Sequence, residues 1–542
     1  MLRAFLTPVF GGILFACCFF PAPAHWLVWI CLVPIAAAIS ARRHIAATYV
    51  GMYCAGLLFN MITTDWIRTL EGGSGLSGRS APDWLIQAQL LALFWPLTLF
   101  LGRLLVGHWA IPMSLALPAV WTVHEFLLRR LWALIDATGW QIYFLGYAMA
   151  DHRYVAQIAD LGGVSALSFV GACASGAIWD LACLYRSQAG TPSRRSASVG
   201  AAFAASILLS SLGYGAWALH RSSPSAGPTV WLMPDRLLQE PLAELPWRPE
   251  TPGAPDILLW SELSFHGPAV NSARSFEEGG TGDSPANAHV DPRSLKSEDA
   301  LEALCRHFAV PLVIGYTRSE QDRGVQKSYN SAAFVDPRQG LQGSYDKVGL
   351  VPWTEFTPWA GLSTRKGAQF DHGTTWPVFT LRSSIGQENY RFAVAICYDV
   401  ALPSVFRRFM QAADGPPDFF LVCSSERSDK TGRMSRCALN MARVRAIECR
   451  RAIARNVHLG HSGTIDSCGE LHEASLPSLI QSPTSLGAIP LDQRSTLFVL
   501  CGDWIPPAII CLVLIALAVK WVARRAARRT SASTVVQKSI GC

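Results

Sequence analysis

The chain has 542 residues, of which 50% are hydrophobic and only 16% carry a charge. Globular proteins carry about 25% charged residues, so this composition excludes a chain that is water-soluble throughout, and equally a disordered or fibrous one. The net charge of +7 does not indicate a nucleic-acid partner, because the lysines and arginines cluster beside apolar runs and form no basic face. We therefore expect a membrane protein that binds no nucleic acid.

Eight apolar runs are long enough to be considered as membrane spans. A hydrocarbon core about 30 Å thick needs roughly 17 to 25 largely apolar helical residues. The first two runs are short and are separated by Pro21 and Pro23, which favours a helical hairpin over one long span. The runs cover residues 5–22, 25–41, 45–63, 84–106, 109–128, 157–184, 199–219 and 504–522.

The first run also has features of a cleaved leader peptide. Arg3 precedes it, and Ala22 and Ala24 stand where the small residues of a cleavage site would stand. The apolar sequence resumes at once from Trp26, however, and a leader would end there. We favour a retained helix, and cleavage stays open as the alternative.

The distribution of positive charge predicts the orientation of the spans. With the N-terminus in the cytoplasm, Arg42, Arg43, Arg103, the loop 186–195 and the tail 520–529 lie inside, where loops carry an excess of lysine and arginine. The opposite loops hold a smaller set of arginines. We predict a seven-helix transmembrane domain over 1–220, an extracytoplasmic catalytic domain over 221–500, and a final transmembrane helix with a basic cytoplasmic tail over 501–542.

The part between the seventh and eighth runs has a different composition. Short apolar runs at 257–260, 311–315, 392–396 and 418–422 are typical of buried strands, and residues 404–413 and 434–454 are typical of helices. Strands that alternate with helices predict a layered α/β domain. Residues 272–297 are rich in Gly, Ser, Asn and Asp, which predicts a surface loop.

Three polar residues stand at or near the ends of strand-like runs, and their types suit one reaction. Glu262 and Cys397 each close a buried run, and Lys347 lies in the phrase that starts at Tyr345. A helical stretch from Pro403 follows Cys397 after a short turn, and a helix N-terminus favours the nucleophilic thiolate. A carboxylate can act as a general base, and an ammonium can stabilise an oxyanion.

Each of these residues has a simpler explanation when it is taken alone. A cysteine at such a position is more often a buried, inert thiol than a nucleophile. Glu262 alone would more often be a salt-bridged carboxylate, and Lys347 a solvated loop lysine. Glu355, eight positions after Lys347, can orient the lysine or be an ordinary loop carboxylate.

The order Glu, Lys, Cys, each in its own local phrase, resembles the carbon-nitrogen hydrolase (nitrilase) superfamily, whose αββα sandwich carries a Glu-Lys-Cys triad. Together with the apolar runs, the resemblance implies a multi-pass α-helical membrane domain plus an α/β nitrilase-like αββα sandwich. It also implies that Glu262 is the base, Lys347 the oxyanion stabiliser and Cys397 the nucleophile. Glu355, Tyr398 and Asp399 are the residues that we expect to support them.

The layout of membrane runs around such a domain is similar to that of the apolipoprotein N-acyltransferase family, and the phrase from Lys347 to Pro358 resembles that family's own lysine region. The resemblance implies an enzyme of the bacterial inner membrane with its catalytic domain in the periplasm. Its acyl donor would be a phospholipid, and its acceptor the N-terminal amine of a diacylglyceryl-cysteine lipoprotein. No zinc-spaced Cys/His cluster and no glycine-rich phosphate loop occurs in the sequence, so we expect no metal or nucleotide cofactor.

The sequence departs from that family at two places. Asp399 stands two residues after the cysteine, where the family typically has Glu, and residues 424–430 lack its Asn-Asp phrase with Trp-Phe. Two other functions stay open. A membrane-tethered carbon-nitrogen hydrolase of the amidase or nitrilase type would use water in place of the amine, and a transporter or receptor would only bind a ligand. The few charges within the runs, Arg103, Glu125 and Asp180, disfavour a transporter.

Overall fold

The computed structural model consists of an N-terminal helical region, two six-stranded sheets that face each other, and a C-terminal helix. It describes residues 1–20, 24–69, 80–136, 139–186, 194–239, 254–265, 297–322, 324–352, 354–356, 370–383, 389–427, 432–475 and 482–540.

The helices of the first region are broken where proline, glycine or a change of helix type interrupts the hydrogen-bond ladder. A π-helix at Leu104–His108 directly follows α5, and α9 kinks at Gly162 and Gly163, where Gly163 has a φ of +64°. The helices are α1 (Leu2–Cys17), α2 (Val33–Ser40), α3 (Ile45–Thr63), α4 (Ser80–Ala92), α5 (Phe94–Arg103), α6 (Met113–Asp136), α7 (Leu145–Ala148), α8 (Arg153–Ala156), α9 (Ala159–Arg186) and α10 (Arg194–His220).

Within the part of the chain that the structure describes, five helical stretches are long and apolar enough to cross a membrane: Ile45–Thr63, Trp84–Gly107, Ala159–Tyr185, Arg195–His220 and Ile505–Val522. They coincide with five of the eight predicted runs. The first two runs form shorter apolar helical stretches, Leu2–Cys17 and Ala24–Ser40, and the fifth run lies in α6. The count of eight spans stays a prediction.

The sandwich consists of two sheets with parallel strands at their centres. The first sheet has the order β12-β1-β2-β3-β4-β5, and the second has the order β11-β10-β9-β8-β7-β6. Strands β1, β2 and β3 are parallel in the first sheet, as are β7, β8 and β9 in the second. The strands are β1 (Ser225–Leu232), β2 (Ile257–Leu259), β3 (Leu312–Asp322), β4 (Val325–Asp336), β5 (Gly340–Asp346), β6 (Phe379–Arg382), β7 (Asn389–Ile396), β8 (Phe419–Ser425), β9 (Ala452–His458), β10 (Ser462–Ile465), β11 (Leu471–Ser475) and β12 (Thr484–Leu491).

Helices cover the outer faces of both sheets. Helix α11 (Ser297–Phe308) packs on β4 and β5, and α12 (Pro403–Met410) and α13 (Arg433–Cys449) pack on the second sheet. The inner faces meet where β1 contacts β9 and β4 contacts β7. Because both faces of the parallel strands are covered, these strands are apolar almost throughout, as the sequence runs indicated. The predicted αββα sandwich is confirmed.

The second predicted helix of the sandwich was wrong at its end. We predicted it over 434–454, but α13 ends at Cys449 and residues Ala452–His458 form β9. Arg450 has a φ of +50°, which a right-handed helix cannot accommodate. The following residues gain ladder hydrogen bonds with β8, a long-range gain that local sequence does not reveal. The predicted loop 272–297 lies outside the described residues up to its last residue, Ser297.

Helix α13 fixes the sandwich on the helical region. The guanidinium of Arg450 donates to Oδ2 of Asp160 in α9, and Arg436 and Arg443 both donate to Asp151. Arg450 is 1% exposed, so the ion pair with Asp160 is shielded from water. The last helices, α14 (Leu497–Cys501) and α15 (Ile505–Ile540), return the chain from the sandwich to α6 and α9.

Candidate active site

The predicted site residues follow strands of both sheets. Glu262 follows β2 and Lys347 follows β5 in the first sheet, while Cys397 follows β7 in the second. Glu262, Lys347 and Glu355 lie near enough to the thiol of Cys397 for their charges to shift its pKa. The sandwich therefore brings these four side chains together, and their catalytic roles stay predictions.

Lys347 lies between two carboxylates. Its Nζ is 2.8 Å from Oε1 of Glu262 and 2.9 Å from Oε2 of Glu355, and the lysine is only 1% exposed. Burial by itself would lower the pKa of Lys347, but the charges of Glu262 and Glu355 raise it well above its ordinary value. The lysine is therefore a fixed ammonium in a site with little access to water.

Glu355 is oriented by the backbone as well as by the lysine. Its Oε2 accepts a hydrogen bond of 2.7 Å from the N–H of Val351, and its own N–H donates to the carbonyl of the same residue. The carboxylate is thus fixed on a tight turn and cannot move away from Lys347 without losing these bonds. This is the orienting position that the sequence suggested for Glu355.

Sequence reasoning missed Asn330, a fully buried residue in the middle of β4. Its side-chain amide nitrogen donates to Oε1 of Glu262 and to Oε1 of Glu355, at 2.8 Å in each case. Its backbone carbonyl accepts from the backbone N–H of Lys347. The asparagine thus adds two neutral donors to two carboxylates that share one ammonium. No local signal marks it, because it lies between Tyr329 and Ser331 within an ordinary strand.

Ser425, the last residue of β8, connects the base to the thiol through its backbone. Its N–H donates to Oε2 of Glu262 at 2.9 Å, and its carbonyl oxygen is 4.0 Å from Sγ of Cys397. The serine lies in the loop that differs from the resembled family. Its contribution comes from the backbone, so the change of residue type there leaves these two contacts intact.

Cys397 lies at a strained turn. It is half-buried, and its φ of +46° falls in the left-handed region that non-glycine residues rarely occupy. Burial and the charge of Glu262 raise the pKa of its thiol to about 12, against the opposing effect of Lys347. The prediction that a helix N-terminus favours the thiolate was therefore wrong for the resting site. Cys397–Ala401 is a short 3₁₀ turn, whose few aligned dipoles do not offset burial and a neighbouring carboxylate.

The two residues after Cys397 are both buried. Tyr398 is 1% exposed and packs in the main hydrophobic core. Asp399 accepts hydrogen bonds from the N–H groups of Ile396 and Gly349 and from the hydroxyl of Tyr345. Burial raises the pKa of Asp399 to about 6, and these donors oppose that rise. Asp399 thus holds the turn by hydrogen bonds, and Tyr398 anchors it by packing in the core.

This arrangement can carry out nucleophilic acyl transfer. A carboxylate beside a neutral thiol can take its proton as the sulfur attacks, and a fixed ammonium can stabilise the oxyanion that forms. Within the described residues, no group of three or more His, Cys, Asp or Glu side chains has metal-binding geometry.

Comparison with known proteins matches both halves of the chain. Residues 11–177 match the apolipoprotein N-acyltransferase N-terminal domain, and residues 257–476 match the carbon-nitrogen hydrolase family. The apolipoprotein N-acyltransferase of Rhodopirellula baltica is 24% identical over 561 aligned positions, which cover 93% of this chain and 95% of the relative. That of Geobacter metallireducens is also 24% identical and covers 92% of each chain.

Solved structures similar to half of this chain include an amidase and a member of the nitrilase superfamily. An amidase from Nesterenkonia sp. has 20% sequence identity and a TM-score of 0.33, and the match covers 50% of this chain and 93% of the amidase. Nit3 from Saccharomyces cerevisiae, a member of branch 10 of the nitrilase superfamily, has 17% identity and a TM-score of 0.33. The match with Nit3 covers 50% of this chain and 92% of the Nit3 chain.

The relatives extend over almost the whole chain, through the apolar helices as well as the sandwich, and the two family matches follow each other in the same order as these two parts. The sandwich alone would indicate only a carbon-nitrogen hydrolase domain. With the helical region included, the chain is similar along almost its whole length to apolipoprotein N-acyltransferases, and residues 257–476 match the carbon-nitrogen hydrolase family.

Proposed function

We propose that this protein transfers an acyl chain from a phospholipid, through a thioester on Cys397, to the N-terminal amine of a diacylglyceryl-cysteine lipoprotein. The observation that carries the proposal is the position of Lys347 between Glu262 and Glu355, beside the thiol of Cys397. The comparisons support the choice of substrates, because the relatives that cover more than nine tenths of the chain are named apolipoprotein N-acyltransferases.

The first half-reaction forms the acyl-enzyme. Glu262 takes the proton of the Cys397 thiol while the sulfur attacks the ester carbonyl of the phospholipid. Lys347 stabilises the oxyanion of the tetrahedral intermediate, and Glu355 holds Lys347 in place. The carbon–oxygen bond to glycerol then breaks, and Glu262 returns the proton to the leaving alkoxide. The products are a lysophospholipid and a thioester.

The second half-reaction transfers the acyl chain to the lipoprotein. The neutral α-amino group attacks the thioester carbonyl, and Lys347 again stabilises the oxyanion. The carbon–sulfur bond breaks, Glu262 accepts the proton that nitrogen loses, and this proton returns to the thiolate of Cys397. The acyl chain thus ends in an amide, and the enzyme regains its resting state.

The need for acyl chains at the site explains why this domain is attached to membrane helices. Both substrates keep their chains in the bilayer, and each CH₂ removed from it costs about 0.8 kcal/mol. We propose that the protein resides in the bacterial inner membrane with the sandwich on the periplasmic side, as the predicted cytoplasmic placement of Arg42, Arg43 and the tail requires. The mechanism uses protein side chains alone.

Acyl transfer and adduct formation test the proposal together. Purified protein in detergent is incubated with a phospholipid that carries a fluorescent acyl chain and with a diacylated lipopeptide. We expect label on the peptide amine and, without peptide, an acyl adduct on Cys397 by mass spectrometry. Cys397→Ala should abolish both, whereas Cys501→Ala, at an exposed position, should change neither. Release of fatty acid with no labelled peptide would instead identify a hydrolase.

A further inference from the structure

The segment after β8 carries a cation on the same edge of the second sheet as the thiol. Strands β7, β8 and β9 are parallel neighbours, so their carboxyl ends lie side by side and carry Cys397, Ser425 and His458 respectively. The carbonyl of Ser425 is 4.0 Å from Sγ of Cys397, and Arg427 follows two residues later. Arg427 is exposed to solvent, and its position after β8 puts it at the carboxyl ends of the parallel strands, which we take as the rim of the site.

His458 holds Arg427 without neutralising it. Nδ1 of His458 is 2.6 Å from Oδ2 of Asp235, and Nε2 is 3.3 Å from Nη2 of Arg427. Arginine only donates hydrogen bonds, so Nε2 accepts where it is bonded to Arg427, and Nδ1 then donates to the carboxylate. The imidazole of His458 therefore stands between the guanidinium of Arg427 and the carboxylate of Asp235.

Asp235 is itself fixed by groups of the first sheet. Its carboxylate accepts from the hydroxyl groups of Ser261, at 2.8 Å, and of Ser264, at 2.7 Å. Burial by itself would raise the pKa of Asp235, but hydrogen bonds from His458, Ser264 and Ser261 hold it below its ordinary value. The contacts that hold Arg427 thus run from Ser261, the residue before Glu262, through Asp235 to His458 at the end of β9.

The neighbouring Arg455 differs from Arg427 in its partner. Arg455 is 1% exposed and pairs with Oε1 of Glu426 at 2.9 Å, so its charge is balanced by a carboxylate inside the protein. Among the described residues, the contact of Arg427 is with an imidazole nitrogen and not with a carboxylate. An exposed cation with such a support can bind an anion. Guanidinium is suited to phosphate, because its planar fork donates two parallel hydrogen bonds.

We propose that Arg427 binds the phosphodiester of the acyl donor and that His458 and Asp235 are positioning residues for it. This inference rests on the proposed function, since only a phospholipid donor brings a phosphate to the site. In a glycerophospholipid, the ester carbonyl and the phosphate are attached to one glycerol unit. When the carbonyl meets Cys397, the phosphate therefore lies at the rim, where Arg427 is. The diacylglyceryl acceptor has no phosphate, so Arg427 acts in the first half-reaction only.

The experiment compares two donors in uncharged detergent micelles. One is a zwitterionic phosphatidylethanolamine, and the other is a diacylglycerol with the same acyl chains and no phosphate. Acyl-enzyme formation on Cys397 is followed by mass spectrometry for the wild type and for Arg427→Gln, Arg427→Lys, His458→Gln and Arg306→Gln. Arg306 lies on α11 with a side chain that is 64% exposed and serves as the matched control.

We expect Arg427→Gln to lower acylation by phosphatidylethanolamine about tenfold or more, the equivalent of one charge-assisted contact, and to leave acylation by diacylglycerol unchanged. Arg427→Lys should keep part of the preference, and His458→Gln should weaken it. In the second half-reaction, the acyl-enzyme of every variant should react with lipopeptide at the wild-type rate.

Equal losses with both donors would overturn the inference, because a folding defect or a general effect on the site lowers both rates alike. Unchanged rates with both donors in Arg427→Gln, or the same selective loss with phosphatidylethanolamine in Arg306→Gln, would overturn it as well. These outcomes differ from failure of the proposed function, in which the wild type itself forms no acyl adduct with the phospholipid.

Discussion

Asp399 accepts a hydrogen bond of 2.7 Å from the backbone N–H of Gly349. Asp399 follows the nucleophilic candidate Cys397 by two positions, and Gly349 follows Lys347 by two positions in the other sheet. One carboxylate therefore ties the segment that carries the ammonium to the turn that carries the thiol. The same carboxylate accepts a hydrogen bond of 2.9 Å from the hydroxyl of Tyr345.

Loss of this carboxylate should separate the two halves of the site. In Asp399→Asn, an amide nitrogen replaces one accepting oxygen, so one of the buried donors loses its partner, at a cost of about 1–3 kcal/mol. We expect acyl-enzyme formation to fall about tenfold to a hundredfold. Mass spectrometry of the adduct and thermal unfolding measure the two effects. Asp414→Asn, at an exposed position, is the matched control, and equal behaviour of the two variants would contradict the tie.

Glu262→Gln should make the thiol more acidic while it stops catalysis. The charge of Glu262 raises the pKa of Cys397 and that of Lys347 lowers it, so removal of the carboxylate lets the pKa of Cys397 fall from about 12. Alkylation of Cys397 by iodoacetamide should then reach its half-maximal rate at a lower pH than in the wild type. Acyl transfer should be lost, because no base remains to carry the proton.

The measurement is the pH dependence of carboxamidomethylation, read from the peptide that contains Cys397. Glu470→Gln, at an exposed position remote from the thiol, should leave the profile unchanged. A profile of Glu262→Gln that coincides with the wild type, or lies at higher pH, would show that Glu262 does not control the thiol.

Asn330→Asp should be more damaging than Asn330→Ala. The alanine variant removes two donors from Glu262 and Glu355, whereas the aspartate adds a third buried carboxylate around one ammonium. We expect the free energy of unfolding to fall by about 1–3 kcal/mol in the alanine variant, and by more in the aspartate variant above neutral pH. Both variants should therefore unfold at a lower temperature than the wild type. The difference should shrink as the pH falls and the added carboxyl becomes protonated. Asn389→Asp, at an exposed strand end, should change neither stability nor acylation.

Glu448 should make stability depend on pH. It is fully buried, and burial raises its pKa to about 8, against the opposing charge of Arg445. Because the folded state holds this proton more tightly than the unfolded chain does, the stabilisation is complete below the ordinary pKa of 4.5 and is lost as the pH rises to about 8. Over this range the free energy of unfolding should fall by a few kcal/mol, roughly 1.4 kcal/mol for each unit of pKa shift.

Glu448→Gln tests this dependence, because an amide cannot ionise but can still accept from the N–H of Val164, as Oε1 of Glu448 does at 3.1 Å. Thermal unfolding from pH 5 to pH 8 should show a smaller decline of Tm in the variant than in the wild type. Glu470→Gln, an exposed glutamate, should decline as the wild type does. Parallel declines in Glu448→Gln and the wild type would mean that Glu448 is ionised throughout.

Several features were predictable because their signals are local. Apolar runs of membrane length mark α3, α9, α10 and the first half of α15, and short apolar runs mark the strands that end before Glu262 and Cys397. These inferences need only residues that are neighbours in the chain. The resemblance of three separate phrases to the carbon-nitrogen hydrolase superfamily then indicated Glu262, Lys347 and Cys397.

Other features arise from contacts between distant residues. Glu262 and its donor Asn330 are 68 positions apart, and Asp235 and His458 are 223 apart, so no local pattern links them. The end of α13 was misplaced for the same reason, since pairing with β8 overrides local preference after Arg450. The pKa of Cys397 depends on burial and on Glu262, and neither is visible at the turn itself.

By itself, the sequence determined that this protein has apolar helices and an α/β sandwich, and which carboxylate, lysine and cysteine to consider. The helices and the α/β character follow from hydrophobic periodicity, and the sandwich and the choice of residues follow from the resemblance of short phrases to a known family. Only the tertiary structure decided that Lys347 is shared by two carboxylates, that the thiol rests protonated, and that Arg427 stands supported at the rim. Charge states and partners depend on burial and on which strands become neighbours, and both are fixed only when the two sheets pack together.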